Sequence, residues 1–195
     1  LEENTLSTEE LYAEIEKLNA LMEAAKLSAI YKGKDVTNLI VNPNFSDNKN
    51  GWLHDETKAG PAHGGLTSNP CMEVWNNNFD SYQDLVGLPN GVYEVKVQAF
   101  YRTGSSTTAA YNEYVGGTAS EILAFIYANE FSAPVCDIGS VTYTENLANN
   151  CEAVDATNGL YVPNGMNSAS EAFTRGDYEC KVYGLVTDGK LRIGI

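Results

Sequence analysis

The sequence has only two histidines, His54 and His63, and no Cys-x-x-Cys pair, which argues against a Cys/His zinc site. It is also poor in basic side chains. Twelve Lys plus Arg stand against 26 Asp plus Glu, a formal charge of −14. A surface with pI near 4.4 repels phosphate backbones, so no nucleic-acid partner is expected. No apolar run approaches the ~18 residues of a membrane span. Catalytic signatures are missing too. There is no Gly-x-Ser-x-Gly elbow, and Gly104-Ser105-Ser106 does not supply one. Neither histidine sits in a triad context. Gly116-Gly117 lacks the lysine and spacing of a phosphate loop. Among 26 acidic residues some pair always satisfies the two-carboxylate requirement of a glycosidase, so acidity carries no catalytic signal. The expectation is a non-enzyme, any catalysis lying in another domain of a longer protein.

What is present is an ordinary globular chain. Its 195 residues are 43% hydrophobic, enough for one mid-sized domain plus an appendage or for two small domains. Twelve Tyr and two Trp outnumber six Phe, so most rings carry a polar handle. The first residue is Leu and no charged-then-apolar leader follows, so the chain reads as a processed or excised piece. Four cysteines stand at 71, 136, 151 and 180. A Cys136–Cys151 disulfide would close the long loop between them. Cys71 and Cys180 read equally well as small buried thiols.

Residues 8–30 form the clearest helix. Ser7 and Glu10 make a capping box, and Leu6 with Leu11 a hydrophobic staple. Leu11, Ile15, Leu18, Met22 and Ala25 recur at spacings of four and three, one apolar stripe that calls for burial on the body of the domain or on a neighbouring chain. Residues 1–34 are thus a helical segment or spacer. From residue 35 the pattern turns to strands: Asn38–Val41, Cys71–Asn76, Tyr82–Val86, Val92–Arg102, Glu121–Ala128, Tyr178–Val186 and Lys190–Ile195. In Val92–Arg102, Tyr93, Val95, Val97, Ala99 and Tyr101 share the core face. A short helix is predicted over Ser168–Thr174, with Ser168 and Glu171 as its capping box. Thr103–Ser120 and Asp137–Leu160 read as long polar loops, the kind that carries function.

A sugar-binding surface needs a flat aromatic for the C–H face of the ring and planar polar groups for its hydroxyls. The local matches are Trp75 with Asn76, then Trp52, then Tyr111 and Tyr114, with Arg102 near Gln98. Each has a structural alternative. Trp52 follows a turn and suits a core plug. Trp75 alternates with Cys71 and Glu73, a parity that suits an inward-facing ring, and Arg102 suits pairing with an acid. Asp80, Tyr82 and Gln83 are weaker matches. Asn44 and Asp47 offer oxygens for a structural calcium, or simply form a turn.

Asn38-Leu39-Ile40-Val41-Asn42-Pro43-Asn44-Phe45 followed by Gly51-Trp52 resembles the opening of galactose-binding-like sandwich domains, including several carbohydrate-binding module families. The run from Glu73-Val74-Trp75-Asn76 through Leu88-Pro89-Asn90-Gly91-Val92-Tyr93 to Gln98-Ala99-Phe100-Tyr101-Arg102 resembles a subgroup from surface and secreted proteins of gut Bacteroidetes. Val162-Pro163-Asn164-Gly165-Met166 and Asp188 to Ile195 continue the likeness, which covers roughly residues 38–195. The resemblance implies an all-β jelly-roll β-sandwich over residues 35–195, preceded by the N-terminal α-helix and carrying one short inserted helix. It implies a last strand, bearing Asp and Asn that help hold calcium in related modules, which this chain lacks. It further implies a non-catalytic carbohydrate-binding module of an extracellular or outer-surface polysaccharide-processing protein, with a polysaccharide or oligosaccharide and neighbouring domains as partners. The alternative is a structural or interaction spacer with no ligand of its own.

Overall fold

A computed structural model describes residues 7–30, 33–54, 61–75, 77–119 and 121–195. Helix α1 spans Thr8–Ile30. Strands β1 (Leu53–His54), β2 (Ala62–Leu66), β3 (Asn69–Glu73), β4 (Ser81–Val86), β5 (Gly91–Gln98) and β6 (Phe100–Tyr101) follow, then helix α2 (Thr107–Val115). Next come β7 (Phe125–Ala128), β8 (Phe131–Pro134), β9 (Cys136–Asp137), β10 (Cys151–Asp155) and β11 (Leu160–Pro163). Helix α3 (Met166–Arg175) and strands β12 (Glu179–Val186) and β13 (Lys190–Gly194) complete the order.

The strands form one five-stranded sheet, ordered β1-β4-β13-β7-β8, and four two-stranded ribbons: β2-β3, β5-β12, β6-β9 and β10-β11. The β5-β12 ribbon is antiparallel, from Glu179 opposite Gln98 to Val186 opposite Gly91. Its inner side chains Cys180, Val182 and Val186 meet Ile126, Ala128, Leu191 and Ile193 of the five-stranded sheet. Gly184 permits that approach, because a Cβ there would lie 2.7 Å from the Ala128 Cβ and 2.8 Å from Leu191 Cδ1. Tyr93, Val95, Val97, Ala99 and Tyr101 pack against the same core, as their alternation predicts.

The architecture is therefore mixed α/β with open sheets, and the expected all-β jelly-roll sandwich of galactose-binding-like type is not formed. Two physical causes stand out. First, β5 pairs with β12 alone. The strand run breaks at Ala99, and Phe100–Tyr101 leave the ribbon to pair in parallel with Cys136–Asp137. Among the described residues no second full sheet closes over the first. Second, the two stretches expected to be loops are ordered. Residues 107–115 of the first form α2, started by Ser106, whose Oγ accepts the Ala109 N–H at 3.1 Å. Thr107 and Ala110 on this helix are fully buried, and the Thr108 hydroxyl donates to Glu152. The second stretch contains two 3-10 turns and β10.

Two local expectations also give way. Asn38–Val41 is not a strand; Thr37–Leu39 is a 3-10 turn. The Gln83 side chain takes the place of a paired strand, accepting from Val41 N–H at 3.0 Å and donating to Val41 C=O at 2.7 Å. The stripe on α1 is not buried on the body of the domain: Leu11, Ile15, Leu18 and Met22 are each about half exposed, and a neighbouring chain as its cover is untested. The Ser7–Glu10 box is formed, with reciprocal bonds of 2.7 and 3.3 Å. Leu6, half of the expected staple, and the Ala25 side chain lie outside the described residues. The helix touches the body at Lys17, whose Nζ sits 5.4 Å from the Phe131 ring centre.

A second core lies around α3. Phe100, Phe173 and Tyr178 form an aromatic cluster with centroid separations of 4.8 to 6.3 Å, flanked by Tyr143, Leu147 and Ala172. Ser168 lies buried in the first turn of α3 and serves the backbone rather than Glu171. Its Oγ accepts from Asn164 N–H at 3.1 Å and donates to Asn150 C=O at 2.7 Å. Glu171 instead pairs with Arg175 at 2.7 Å.

Candidate cleft between the Trp75 rim and helix α3

The two cores leave a cleft of about 1130 Å³ between them. Its floor is the chain from Lys96 to Ser105, where β5 gives way to β6. One wall is β3 and the segment after it, carrying Trp75. The other is the start of α3, with Met166, Ala169 and Phe173. Gly176 ends that helix in the left-handed region at φ 83°, a conformation that suits glycine.

Trp75 stands on the rim because β3 ends at Glu73, two residues before it. Cys71 points inward and is 5% exposed, whereas Trp75 is 66% exposed. The Arg102 guanidinium lies over the indole, its carbon 4.5 Å from the ring centre. Arg102 is held in that pose by its Nη1, which donates to Thr107 Oγ1 at 3.0 Å and Asn164 Oδ1 at 3.4 Å. The buried Thr107 hydroxyl donates in turn to Asn164 Oδ1 at 2.7 Å. Trp75, Arg102, Thr107 and Asn164 thus form one connected unit from three distant parts of the chain.

The other sequence candidates fall elsewhere. Asn76 lies outside the described residues. Trp52 is a half-buried plug of the 42–52 turn. Its ring centre is 5.3 Å from Phe45 and its Nε1 donates to Asn42 C=O at 3.1 Å. Tyr111 packs beside Ala110, Ile138 and Val162 and does not itself line the cleft. Tyr114 is partly exposed on α2 and also outside the lining. The weaker candidates serve the framework. Asp80 accepts the Tyr127 hydroxyl at 2.6 Å, Tyr82 lies under Arg192, and Gln83 clamps Val41. Asn44 Oδ1 and Asp47 Oδ2, the oxygens considered for calcium, accept from Ser46 N–H and Asn50 Nδ2 within the turn. No group of three or more His, Cys, Asp or Glu among the described residues is placed to hold a metal.

Asn164, Thr107, Phe100 and Phe173 were not legible as site residues. The one local signal was Pro163-Asn164-Gly165 ahead of a helix, a turn whose polar side chain must face something.

Among the described residues lining the cleft, Glu73 is the one Asp or Glu. Burial raises the Cys71 thiol above its ordinary range, and Ser170 Oγ donates to the sulfur at 3.6 Å. A thiol so held is a weak nucleophile. Ser81 Oγ meets His54 Nδ1 at 2.8 Å, but Ser81 is 2% exposed. The other ring nitrogen, Nε2, is buried with no hydrogen-bond partner among the described residues. Burial, then Lys49, lowers the His54 pKa.

Searches of protein-family models, of curated proteins and of solved structures each find no match to the chain. The resemblance to galactose-binding-like modules of gut Bacteroidetes is thus supported neither by the fold nor by any of these searches.

Proposed function

We propose that the cleft is a non-catalytic carbohydrate-binding site, and that the chain serves as a binding module for an extracellular polysaccharide or oligosaccharide. The observation that carries this reading is the exposed Trp75 indole with Arg102 fixed over it by Thr107 and Asn164. An indole edge and face offer an apolar platform for sugar C–H groups. A planar guanidinium and a side-chain amide beside it donate to and accept from ring hydroxyls. Among the described residues lining the cleft, Glu73 is the one Asp or Glu, whereas glycoside hydrolysis uses two carboxylates in the same space.

The half-exposed apolar stripe on α1 favours a second reading, an interaction or spacer module whose partner covers that helix. A glycan array probed with the whole chain and with Trp75→Ala separates the two. The binding reading expects signal on at least one glycan class and its loss in the variant. An array that stays blank for the wild-type chain overturns it and leaves the spacer reading.

A further inference from the structure

We propose that Cys136 and Cys180 are an oxidisable pair that closes to a disulfide, a cross-link between β9 and β12 behind the floor of the cleft. The two sulfurs stand 3.1 Å apart, so a bond of about 2.0 Å needs about 1 Å of further approach. The backbone already holds them together: the Cys136 N–H donates to Cys180 Sγ at 3.2 Å, and the Cys180 thiol donates to Ala99 C=O at 3.5 Å. The other two cysteines are engaged elsewhere. Cys71 contacts Ser170 and Met166, and the Cys151 thiol donates to Leu147 C=O at 3.9 Å. Cys136 therefore has Cys180, not Cys151, as its thiol neighbour.

The chemistry balances as a thiol–disulfide exchange with a small-molecule disulfide. Cys136 is the more exposed of the two, whereas Cys180 is 4% exposed. The Cys136 thiolate attacks the reagent and expels one small thiol, leaving a mixed disulfide. The Cys180 thiolate then attacks Cys136 Sγ and expels the second. Two protein thiols are oxidised, one reagent disulfide is reduced to two thiols, and the two protons go to the leaving groups. Burial, then the neighbouring Cys180 thiol, pushes Cys136 up to about 12, so the thiolate is scarce near neutrality and closure accelerates as pH rises.

The bond would close the chain from 136 to 180, which contains β10, β11, Asn164 and α3. It would thus tie the helical wall of the cleft to its strand floor. The test is peptide mapping of the folded full chain after incubation with oxidised glutathione at mildly alkaline pH, alkylation and denaturation. The expected result is one cross-linked pair, 136 with 180, two thiols still alkylated, and a higher melting temperature than the reduced protein. Cys151→Ala should still form the link and Cys180→Ala should not. Four alkylated thiols after oxidation, or a map joining 136 to 151, would overturn the proposal.

Discussion

The two tryptophans lie 23 positions apart in one chain, yet they meet opposite fates. Trp52 closes the 42–52 turn: Phe45 covers its ring and the Asn42 carbonyl takes its N–H. Trp75 lies two residues beyond the end of β3 and stays open, with the Arg102 guanidinium over its face. The difference lies in the partners each segment supplies. Residues 42–52 carry their own aromatic and their own backbone acceptor within ten positions. The Trp75 indole is instead covered on one face by a side chain from 27 positions away, the Arg102 guanidinium. Trp52 is held by partners close in sequence, whereas Trp75 is held by a distant side chain and keeps most of its surface exposed.

The comparison breaks first where the closed ring is removed. Trp52→Ala strips the plug from Phe45 and from the main core. It should cost about 3 kcal/mol in urea unfolding, in line with other buried aromatic truncations. A variant as stable as the wild type would mean that the turn stands without its ring. Asn42→Ala should cost less, about 2 kcal/mol in the same assay. Asn42 holds φ 51°, which alanine adopts poorly, and its amide bonds the backbone at Asp47, Asn48 and Asn50.

A pair of carboxylates sharpens the contrast between closed and open ground. Asp84 lies on the surface, where its bond to Arg192 holds its pKa below the ordinary value. Asp137 is buried. One oxygen accepts Gly139 N–H at 2.7 Å, and the other has no hydrogen-bond partner among the described residues. Burial, opposed by the Gly139 bond and joined by Glu113, raises the Asp137 pKa. The folded protein therefore holds this proton more tightly than the unfolded chain. The stability linked to it is present below the unfolded carboxyl value and is lost as pH rises through the folded one. Asp137→Asn removes that slope and keeps an acceptor for Gly139. Its stability relative to wild type should improve between acid and neutral pH in denaturant melts. Parallel pH curves would contradict the assignment. The smallest expected change in stability is at the open ring: Trp75→Ala should lie within about 0.5 kcal/mol of wild type.

The same contrast explains which parts of the molecule were legible in the sequence. Strand β5 was, because Tyr93, Val95 and Val97 alternate against one core and the pattern needs no distant information. The existence of α1 was legible too, from Ser7, Glu10 and its periodic leucines. The burial of its stripe was not, since a period reports which face is apolar and not whether a partner covers it. Helix α2 was hidden in a Gly/Ser/Thr-rich stretch. Its stability comes from Ser106 at the cap and from Glu152, 44 residues away from Thr108. Strand patterns alone suggest a closed sandwich, because they do not reveal that Ala99 breaks a strand or that Phe100 turns toward Cys136. In the site, Trp75 and Arg102 were visible as residue types. The stack between them was not, and neither was Asn164, 62 positions beyond Arg102, because these contacts exist only in three dimensions.

The sharpest trial is a calorimetric titration of one oligosaccharide, chosen from the best array signal, into three proteins: wild type, Trp52→Phe and Trp75→Ala. The account predicts equal affinities for the first two and a loss of about tenfold or more for the third, with its fold intact by circular dichroism. Unchanged affinity in Trp75→Ala, with the heat abolished instead in Trp52→Phe, would place the ligand at the closed turn and contradict the account.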